Sequence, residues 1–204
     1  MHRRPLPPDL PSIFGVSHAR ALGVPRSRLG AHDLAAPFHG VRASAVEKSP
    51  DTDPAALLEE RARAYSVRML EEEFFSHATA AVLWGLPTGR PVDADVLHVT
   101  VPAPLRAPRS RGIRGHQVRE HLATVVEVRG LRVSDPASTW VMLAARYDET
   151  HLVCIGDAII RDLPDPGLPD RAPRLRPLAD MRSSRHSTPG FVPAGRPRDG
   201  PPSD

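Results

Sequence analysis

The chain has 204 residues, of which 40% are hydrophobic and only 4% aromatic, so Leu, Val, Ala and Ile must supply most of any core. The formal net charge is +3, and a single cysteine, Cys154, excludes an internal disulfide and a thiolate metal cage. No run approaches the roughly 20 apolar residues of a membrane span, and the N-terminal residues lack the apolar stretch of a signal peptide. We therefore expect a cytoplasmic protein that has no membrane partner.

Arginine carries almost all of the positive charge, because Lys48 is the only lysine. The planar guanidinium suits contacts with phosphates and base edges, since its fork donates two parallel hydrogen bonds. A GC-rich coding sequence also enriches Arg, Ala, Pro and Gly, so the composition alone indicates no partner. Only the clustering of arginines along the chain can indicate one.

The first predicted unit covers residues 12–44 and contains a short pair of helices. Ser17 can cap a helix over residues 18–22, which a glycine then ends. Pro25 fits the first turn of a second helix that runs to about residue 32. Two short helices joined by a tight turn are the parts of a helix-turn-helix, so this segment predicts a DNA-binding module. A plain helical subdomain is the alternative interpretation.

The second helix of this pair begins with Arg26, Ser27 and Arg28, where a recognition helix directs side chains at base edges. Arg20 and Arg42 lie on either side of it in the sequence and are candidates for phosphate contacts. The same stretch contains a single acidic residue. These five residues form the predicted DNA-binding site of the first unit.

The second predicted unit, residues 54–162, mixes helices with strands. Asp53 as the cap and Pro54 in the first turn open a helix whose apolar residues recur at helical spacing. The acidic run that follows it, residues 71–73, is expected to be a solvated surface. Further helices are predicted over residues 76–84, 136–147 and 152–160, the second of these three with Trp140 facing inward.

Alternation of residue types predicts a half-buried strand over residues 96–101, with His98 and Thr100 nearer its exposed face. Apolar runs on both sides of Arg129 and Gly130 predict a tight hairpin. Prolines then recur from residue 164 onward and apolar periodicity is lost. Such a tail buries too little surface to offset its chain entropy, so residues 163–204 are expected to be disordered.

A second arginine cluster lies between residues 106 and 119 and contains no acidic residue. Its glycines predict a flexible or tightly turned loop, and Arg109, Arg111 and Arg114 are candidates for following a phosphate backbone. A solvated loop between strands is the alternative. No aromatic residue is interleaved with these arginines, which disfavours stacking on single strands.

The sequence offers no motif for catalysis or for a cofactor. Four histidines of the second unit, His77, His98, His116 and His121, do not form the HExxH spacing of a helical zinc site. No phosphate-binding glycine loop, nucleophile elbow or pair of carboxylates stands out. We therefore expect no metal, no cofactor and no enzymatic activity.

The order of several segments resembles a known family. In sequence they are FGVSHARALGVPRSRLGAHDLAAPFHGVRAS, FFSHATAAVLWGLP, LHVTVP, RSRGIRGH, VRGLRVSDPASTWVMLA and IGDAII. This succession, over about residues 12–161, resembles actinobacterial proteins related to the AbiEi-type antitoxins of type IV toxin–antitoxin systems. The resemblance implies a DNA-binding winged helix with Arg26 and Arg28 on its recognition helix and residues 38–42 in its wing. The proline-rich residues 1–11 depart from that pattern, because a winged helix normally has a further helix there.

Many relatives of this kind continue into a domain that resembles very-short-patch-repair endonucleases. That domain requires an acidic residue followed by an acid-x-Lys pattern to hold its metal. No such pattern follows residue 161, and the only Glu-Lys pair, Glu47 and Lys48, lies in a linker. The resemblance therefore implies a chain that does not cleave DNA.

Together these observations predict an α+β protein with a small winged-helix-like module at 12–44. An α/β domain with a short, mainly antiparallel sheet follows at 54–162. We expect a DNA-binding antitoxin-like or autoregulatory protein whose partners are double-stranded DNA and a cognate toxin. The alternative is a protein-interaction module or a catalytically dead relative of the nucleases.

Overall fold

A computed structural model describes residues 5–45, 51–162 and 176–177. Over these residues the protein is a mixed α/β structure with six helices and two sheets, as expected at this coarse level. The predicted disordered tail lies outside the described residues, apart from the two-residue strand at 176–177. No helix in the described part of the chain is long and apolar enough to cross a membrane.

The N-terminal unit is a three-stranded antiparallel sheet that carries the predicted helix pair. Its elements are β1 (Ile13–Gly15), α1 (Val16–Ala21), α2 (Arg26–Leu29), β2 (Leu34–Ala35) and β3 (Val41–Ser44). The strand order is β1-β3-β2, so both helices lie between the two outer strands in sequence. The predicted cap was wrong, because Gly15 and not Ser17 precedes the first helix, and the second helix ends at Leu29.

Two hydrophobic clusters hold this unit in place. Phe14, Ala19, Val24 and Leu29 pack together beneath the helix pair. Phe38 and Val41 instead join the larger core, which also contains residues of the following helix and of the second sheet. The N-terminal unit is therefore packed against the rest of the protein through its third strand and the loop before it.

Four helices follow: α3 (Pro54–Ser66), α4 (His77–Trp84), α5 (Pro136–Leu143) and α6 (Glu149–Asp162). The predicted cap of α3 is confirmed, because a carboxylate oxygen of Asp53 accepts a hydrogen bond from the Ala55 amide at 3.0 Å. Asp135 caps α5 in the same way through the Ser138 amide at 2.8 Å. The prediction that Trp140 faces inward was wrong, because 37% of it is exposed.

The second sheet has seven strands in the order β10-β8-β9-β4-β5-β7-β6. They are β4 (Phe74–Phe75), β5 (Leu97–Pro102), β6 (Arg109–Ser110), β7 (Ile113–Val118), β8 (Thr124–Val128), β9 (Leu131–Ser134) and β10 (Arg176–Pro177). Two of its pairings, β4 with β9 and β5 with β7, are parallel, and the other four are antiparallel. The predicted hairpin between β8 and β9 is confirmed: Arg129 and Gly130 adopt φ of 50° and 79°, as a tight turn with two left-handed residues requires.

Two predictions for this sheet were wrong. The central strand β5 is buried along its whole length, including His98 and Thr100: Leu97 and Val99 lie in the larger core, and on the other face the Thr100 hydroxyl bonds to the buried Ser76 hydroxyl. Alternation predicted a solvated face that this strand does not have. The arginine cluster at 106–119 is likewise not a loop throughout, because it contributes strands β6 and β7.

Glu73 was also predicted wrongly, as part of a solvated acidic run. Only 5% of it is exposed, and one carboxylate oxygen accepts hydrogen bonds from the Tyr65 hydroxyl at 3.2 Å and the Leu70 amide at 3.1 Å. Burial, together with the adjacent Glu73 carboxylate, raises the pKa of Tyr65 well above its usual value. The carboxylate thus fixes the turn between α3 and β4 to the core.

Replacing Tyr65 with phenylalanine is expected to lower the free energy of unfolding by about 1–2 kcal/mol, because a buried carboxylate loses one of its donors. Urea denaturation followed by circular dichroism measures this loss. Ser66→Ala is a suitable neighbouring control, because the Ser66 hydroxyl bonds only to the Arg63 carbonyl at the exposed surface. Equal stability of Tyr65→Phe and the unsubstituted protein would contradict this account of the buried pair.

Candidate functional site

Three of the predicted DNA-binding residues line one open groove of about 650 Å³ on the N-terminal unit. Arg20 comes from α1, Arg26 from the start of α2 and Arg42 from β3. The remaining lining residues are Val16, Leu29, Gly30, Ala36, Phe38, His39 and Gly40. None of the lining residues is acidic, so this arginine groove has an uncompensated positive lining.

Hydrogen bonds fix the floor of the arginine groove. The Arg42 Nε atom donates to the Leu29 carbonyl at 2.7 Å, and its Nη1 atom donates to the Val41 carbonyl at 2.8 Å. Arg42 thereby joins the end of α2 to β3 and orients its charge. Arg20 and Arg26 are both exposed at the groove surface. The groove therefore contains one guanidinium held by hydrogen bonds, that of Arg42, and two exposed ones, those of Arg20 and Arg26.

The structure places Arg28 differently from its predicted role. Both of its Nη atoms donate to the Asp33 carboxylate, at 3.0 and 2.8 Å, and only 10% of its side chain is exposed. This bidentate ion pair connects α2 to the turn that precedes β2. Arg28 therefore contributes to the fold of the helix pair and is not presented to a ligand. Ser27 is exposed on α2 but does not line the arginine groove.

A second groove, of about 700 Å³, continues the first and shares Ala36, Phe38 and His39 with it. Its charged lining residues are Arg61 and Arg68 from the α3 region, Arg111 from the turn before β7 and one acidic residue, Asp95. The Arg68 guanidinium donates to the His39 carbonyl at 3.5 Å, and that of Arg61 lies 4.9 Å from the centre of the Phe38 ring. The two grooves form one basic face across both units.

Gly112 permits the close approach of Arg61 and of the Asp95 backbone to the turn before β7. It has φ of +74°, and a Cβ atom there would lie 2.9 Å from the Asp95 carbonyl oxygen and would collide with the Arg61 guanidinium. A side chain at this position would displace Arg61 from the second groove. The glycine in the arginine cluster thus permits a close approach, which the sequence alone suggested only as a turn.

The other two predicted arginines lie away from this basic face. Arg109 and Arg114 are paired opposite each other on β6 and β7, and both are exposed. Arg114 lines a separate pocket of about 170 Å³, whose walls include His77 and His98. The arginines that are close together in the sequence therefore lie at different places in the structure: Arg111 lines the basic face, and Arg114 lines the pocket beside His77 and His98.

Three histidines come together at that pocket although they are far apart in sequence. His77 begins α4, His98 lies in β5 and His116 lies in β7. His98 Nδ1 lies 3.0 Å from His116 Nε2, and the ring centres of His77 and His116 are 3.9 Å apart. One ring nitrogen from each histidine lies within 4.8 Å of the others. We call these three residues the histidine cluster.

All three imidazoles of the histidine cluster are held neutral near pH 7. Burial lowers the pKa of His77 to about 3 and that of His98 to about 4, and the neighbouring histidines and Arg146 act in the same direction. The pKa of His116 is lowered mainly by burial and then by the charges of Arg114 and Arg146.

The stability of the protein is therefore expected to fall as the pH is lowered. A histidine whose folded-state pKa lies below its unfolded value of about 6.5 contributes stability above pH 6.5 that is lost as the pH falls towards the folded pKa. Between about pH 6.5 and 4 the unfolded chain takes up roughly two to three more protons than the folded one at this cluster. Urea midpoints measured in a chelating buffer should decline over this window, and a His121→Gln control should show the same decline. A flat profile would contradict the pKa directions.

The histidine cluster does not show as a motif in the sequence, because its three residues lie in different elements and not close together on one helix. The parallel pairing of β5 with β7 sets Thr100 opposite His116 and His98 opposite Arg114, which places the two strand histidines diagonally. The signal available in the sequence was one histidine in each of two strand-like segments, LHVTV and IRGHQV, and a third at a helix start. Only the strand register makes them neighbours.

Comparison with known proteins assigns no family to the chain. No family model matches the sequence, and no curated protein matches it. The functional argument consequently depends on the geometry of the basic face and of the histidine cluster.

Proposed function

We propose that this protein binds double-stranded DNA through its N-terminal unit, as an autoregulatory or antitoxin-like DNA-binding protein. The observation that carries the proposal is the arginine groove: Arg20, Arg26 and Arg42 line one open depression that has no acidic residue in its wall. Arginine forks in a concave surface suit phosphates and the edges of guanine.

The arrangement of elements supports a winged-helix-like interpretation of this unit. The helix pair connects the outer strands of a sheet ordered β1-β3-β2, and the loop at 36–40 joins the last two strands beside α2. In a winged helix, a recognition helix and the adjacent strand loop both contact the duplex. Here α2 has only four residues, so direct base contacts would come from Arg26 and Ser27 at its exposed start.

The second groove extends this surface and would position the duplex. Arg68 and Arg111 line the neighbouring groove, which shares the loop at 36–40, so a duplex lying over the arginine groove would have further cations beside it. Such contacts with phosphates contribute affinity and orientation without reading sequence. Arg28 is assigned to the fold of the helix pair and not to base recognition.

The antitoxin-like part of the proposal rests on the segment order that resembles the AbiEi family. A regulator of this kind would bind DNA upstream of its own gene and would contact a cognate toxin through another surface. A protein-interaction module without DNA contact is the competing function. The two differ in their response to removal of the groove arginines, which would abolish DNA binding and spare a protein partner.

Fluorescence anisotropy of the full chain on the duplex upstream of its own gene, measured across salt concentrations, tests the proposal. Arg20, Arg42, Arg68 and Arg111 give up to four phosphate contacts, so the logarithm of the binding constant should fall with the logarithm of salt at a slope of about −3.6. An unrelated duplex of equal length should bind more weakly and with a similar slope. Negligible binding at low salt would overturn the proposal and leave a protein partner as the alternative.

A further inference from the structure

We propose that His77, His98 and His116 form a binding site for one divalent transition-metal ion of the zinc class. Each histidine places a ring nitrogen within 4.8 Å of the other two, and the three come from a helix start and two adjacent strands that fix their backbones. This site lies apart from the basic face and goes beyond the DNA-binding function proposed above.

The donor set suits zinc and its neighbours among the transition metals. Neutral imidazole is a preferred ligand of Zn²⁺, Co²⁺, Ni²⁺ and Cu²⁺, and tetrahedral coordination at about 2.0–2.1 Å separates ligand nitrogens by roughly 3.3 Å. His98 Nδ1 and His116 Nε2 are already 3.0 Å apart and share a hydrogen bond. A metal ion between these two nitrogens would take the place of the shared proton, which moves to the other ring nitrogen of the donor histidine, so both imidazoles remain neutral ligands. The third donor would be a ring nitrogen of His77, which lies within 4.8 Å of the ligand nitrogens of the other two histidines.

A second hydrogen-bonded layer orients His77 as a ligand. The His77 Nδ1 atom lies 2.9 Å from the Ser76 hydroxyl oxygen, which in turn lies 2.6 Å from the hydroxyl of Thr100. Both hydroxyls are fully buried. In the tautomer whose Nδ1–H donates to the Ser76 hydroxyl oxygen, the Nε2 lone pair is available for the metal, as outer hydrogen bonds arrange in known histidine sites. His77 also adopts φ of 50°, a strained value that the surrounding contacts hold in place.

The surroundings of the histidine cluster indicate what would occupy the fourth position. Arg90, Arg114 and Arg146 line the pocket next to His77 and His98, together with one acidic residue, Asp93. The positive charge of the three arginines disfavours the binding of a divalent cation alone. The same charge favours a metal ion that has an anion as one of its ligands. The fourth ligand would therefore be an anion such as inorganic phosphate. The same charges would attract phosphate to a zinc-bound position in preference to neutral ligands.

Titration of the untagged, chelator-treated full chain with Co²⁺ tests this proposal. We expect one equivalent of Co²⁺ to bind with the intense visible absorption of tetrahedral coordination and to be displaced by Zn²⁺. Inorganic phosphate should shift that absorption and tighten binding. A wild-type chain that binds no Co²⁺, or binds it only with weak octahedral absorption, would overturn the site. Tetrahedral binding that phosphate does not affect would overturn the anionic fourth ligand alone.

Substitutions of the proposed ligands distinguish a loss of metal binding from a loss of the fold. His77→Gln and His116→Gln should each weaken Co²⁺ binding more than about 100-fold, since even the loss of an outer-layer partner costs 10–100-fold. His121→Gln, at an exposed position outside the cluster, should bind normally. Circular dichroism of each variant checks its fold, and the wild-type spectrum decides the question if a variant does not fold. Unchanged binding by folded His77→Gln and His116→Gln would contradict the assignment.

Discussion

Replacing Arg20 and Arg26 together with alanine is expected to weaken binding to the upstream duplex about 100-fold, since each contact contributes roughly 1–3 kcal/mol. Both side chains are exposed in the arginine groove, and neither makes a hydrogen bond or ion pair within the described ranges 5–45 and 51–162. Their removal should therefore leave the fold intact. Anisotropy titrations across salt measure the loss, and the salt slope should decrease by about 1, for the one phosphate contact that Arg20 contributes.

Arg63→Ala is the matched control for this double variant. Arg63 is an exposed arginine on α3 that pairs with Glu59 at 2.7 Å and does not line either groove of the basic face. It should bind DNA like the unsubstituted protein. An equal loss of binding free energy per removed charge in the control and in the double variant would show that overall charge, and not the arginine groove, determines binding.

Phe38→Ala is expected to lower the free energy of unfolding by about 3–5 kcal/mol. The ring is 6% exposed and packs edge-to-face on Tyr65, with ring centres 5.2 Å apart. The Arg61 guanidinium lies 4.9 Å from the ring centre, so the truncation removes contacts of the N-terminal unit with two residues of α3 as well as a core side chain. Urea denaturation followed by circular dichroism measures the change.

Leu122→Ala provides the comparison for this substitution. Leu122 is 64% exposed, so its truncation should change the free energy of unfolding by less than about 0.5 kcal/mol. If Phe38→Ala were equally mild, Phe38 would not join the two units through a common core. A separate early transition for the N-terminal unit in the Phe38→Ala variant would support that role.

Local signals in the sequence predicted several elements correctly. Asp53 and Asp135 cap their helices because short carboxylates accept from amides that have no partner within the helix. The turn at Arg129 and Gly130 was predictable because a pair that ends in glycine between two apolar runs favours a hairpin. Both residues adopt the left-handed φ that such a turn requires. Each of these features depends on neighbours within a few residues, which the sequence displays directly.

Features that depend on distant neighbours could not be predicted in this way. Arg28 looked like a base-reading residue, and only the fold of the turn after α2 shows that Asp33 holds it. Glu73 belongs to an acidic run, yet Tyr65 and the adjacent turn bury it. Ladder pairing of β5 with β7 brings His98 to His116, and no spacing within one segment reports that register.

Photocrosslinking from α2 tests the DNA-binding proposal most directly. A photoreactive benzoylphenylalanine would replace Ser27, which is exposed beside Arg26. Carried instead at Glu149, an exposed residue at the start of α6 that lines neither groove, the same group gives a control outside the basic face. The account predicts efficient crosslinking to the upstream duplex from position 27 and little from position 149. Equal crosslinking from both positions, or none from position 27 under conditions where the protein binds DNA, would contradict it.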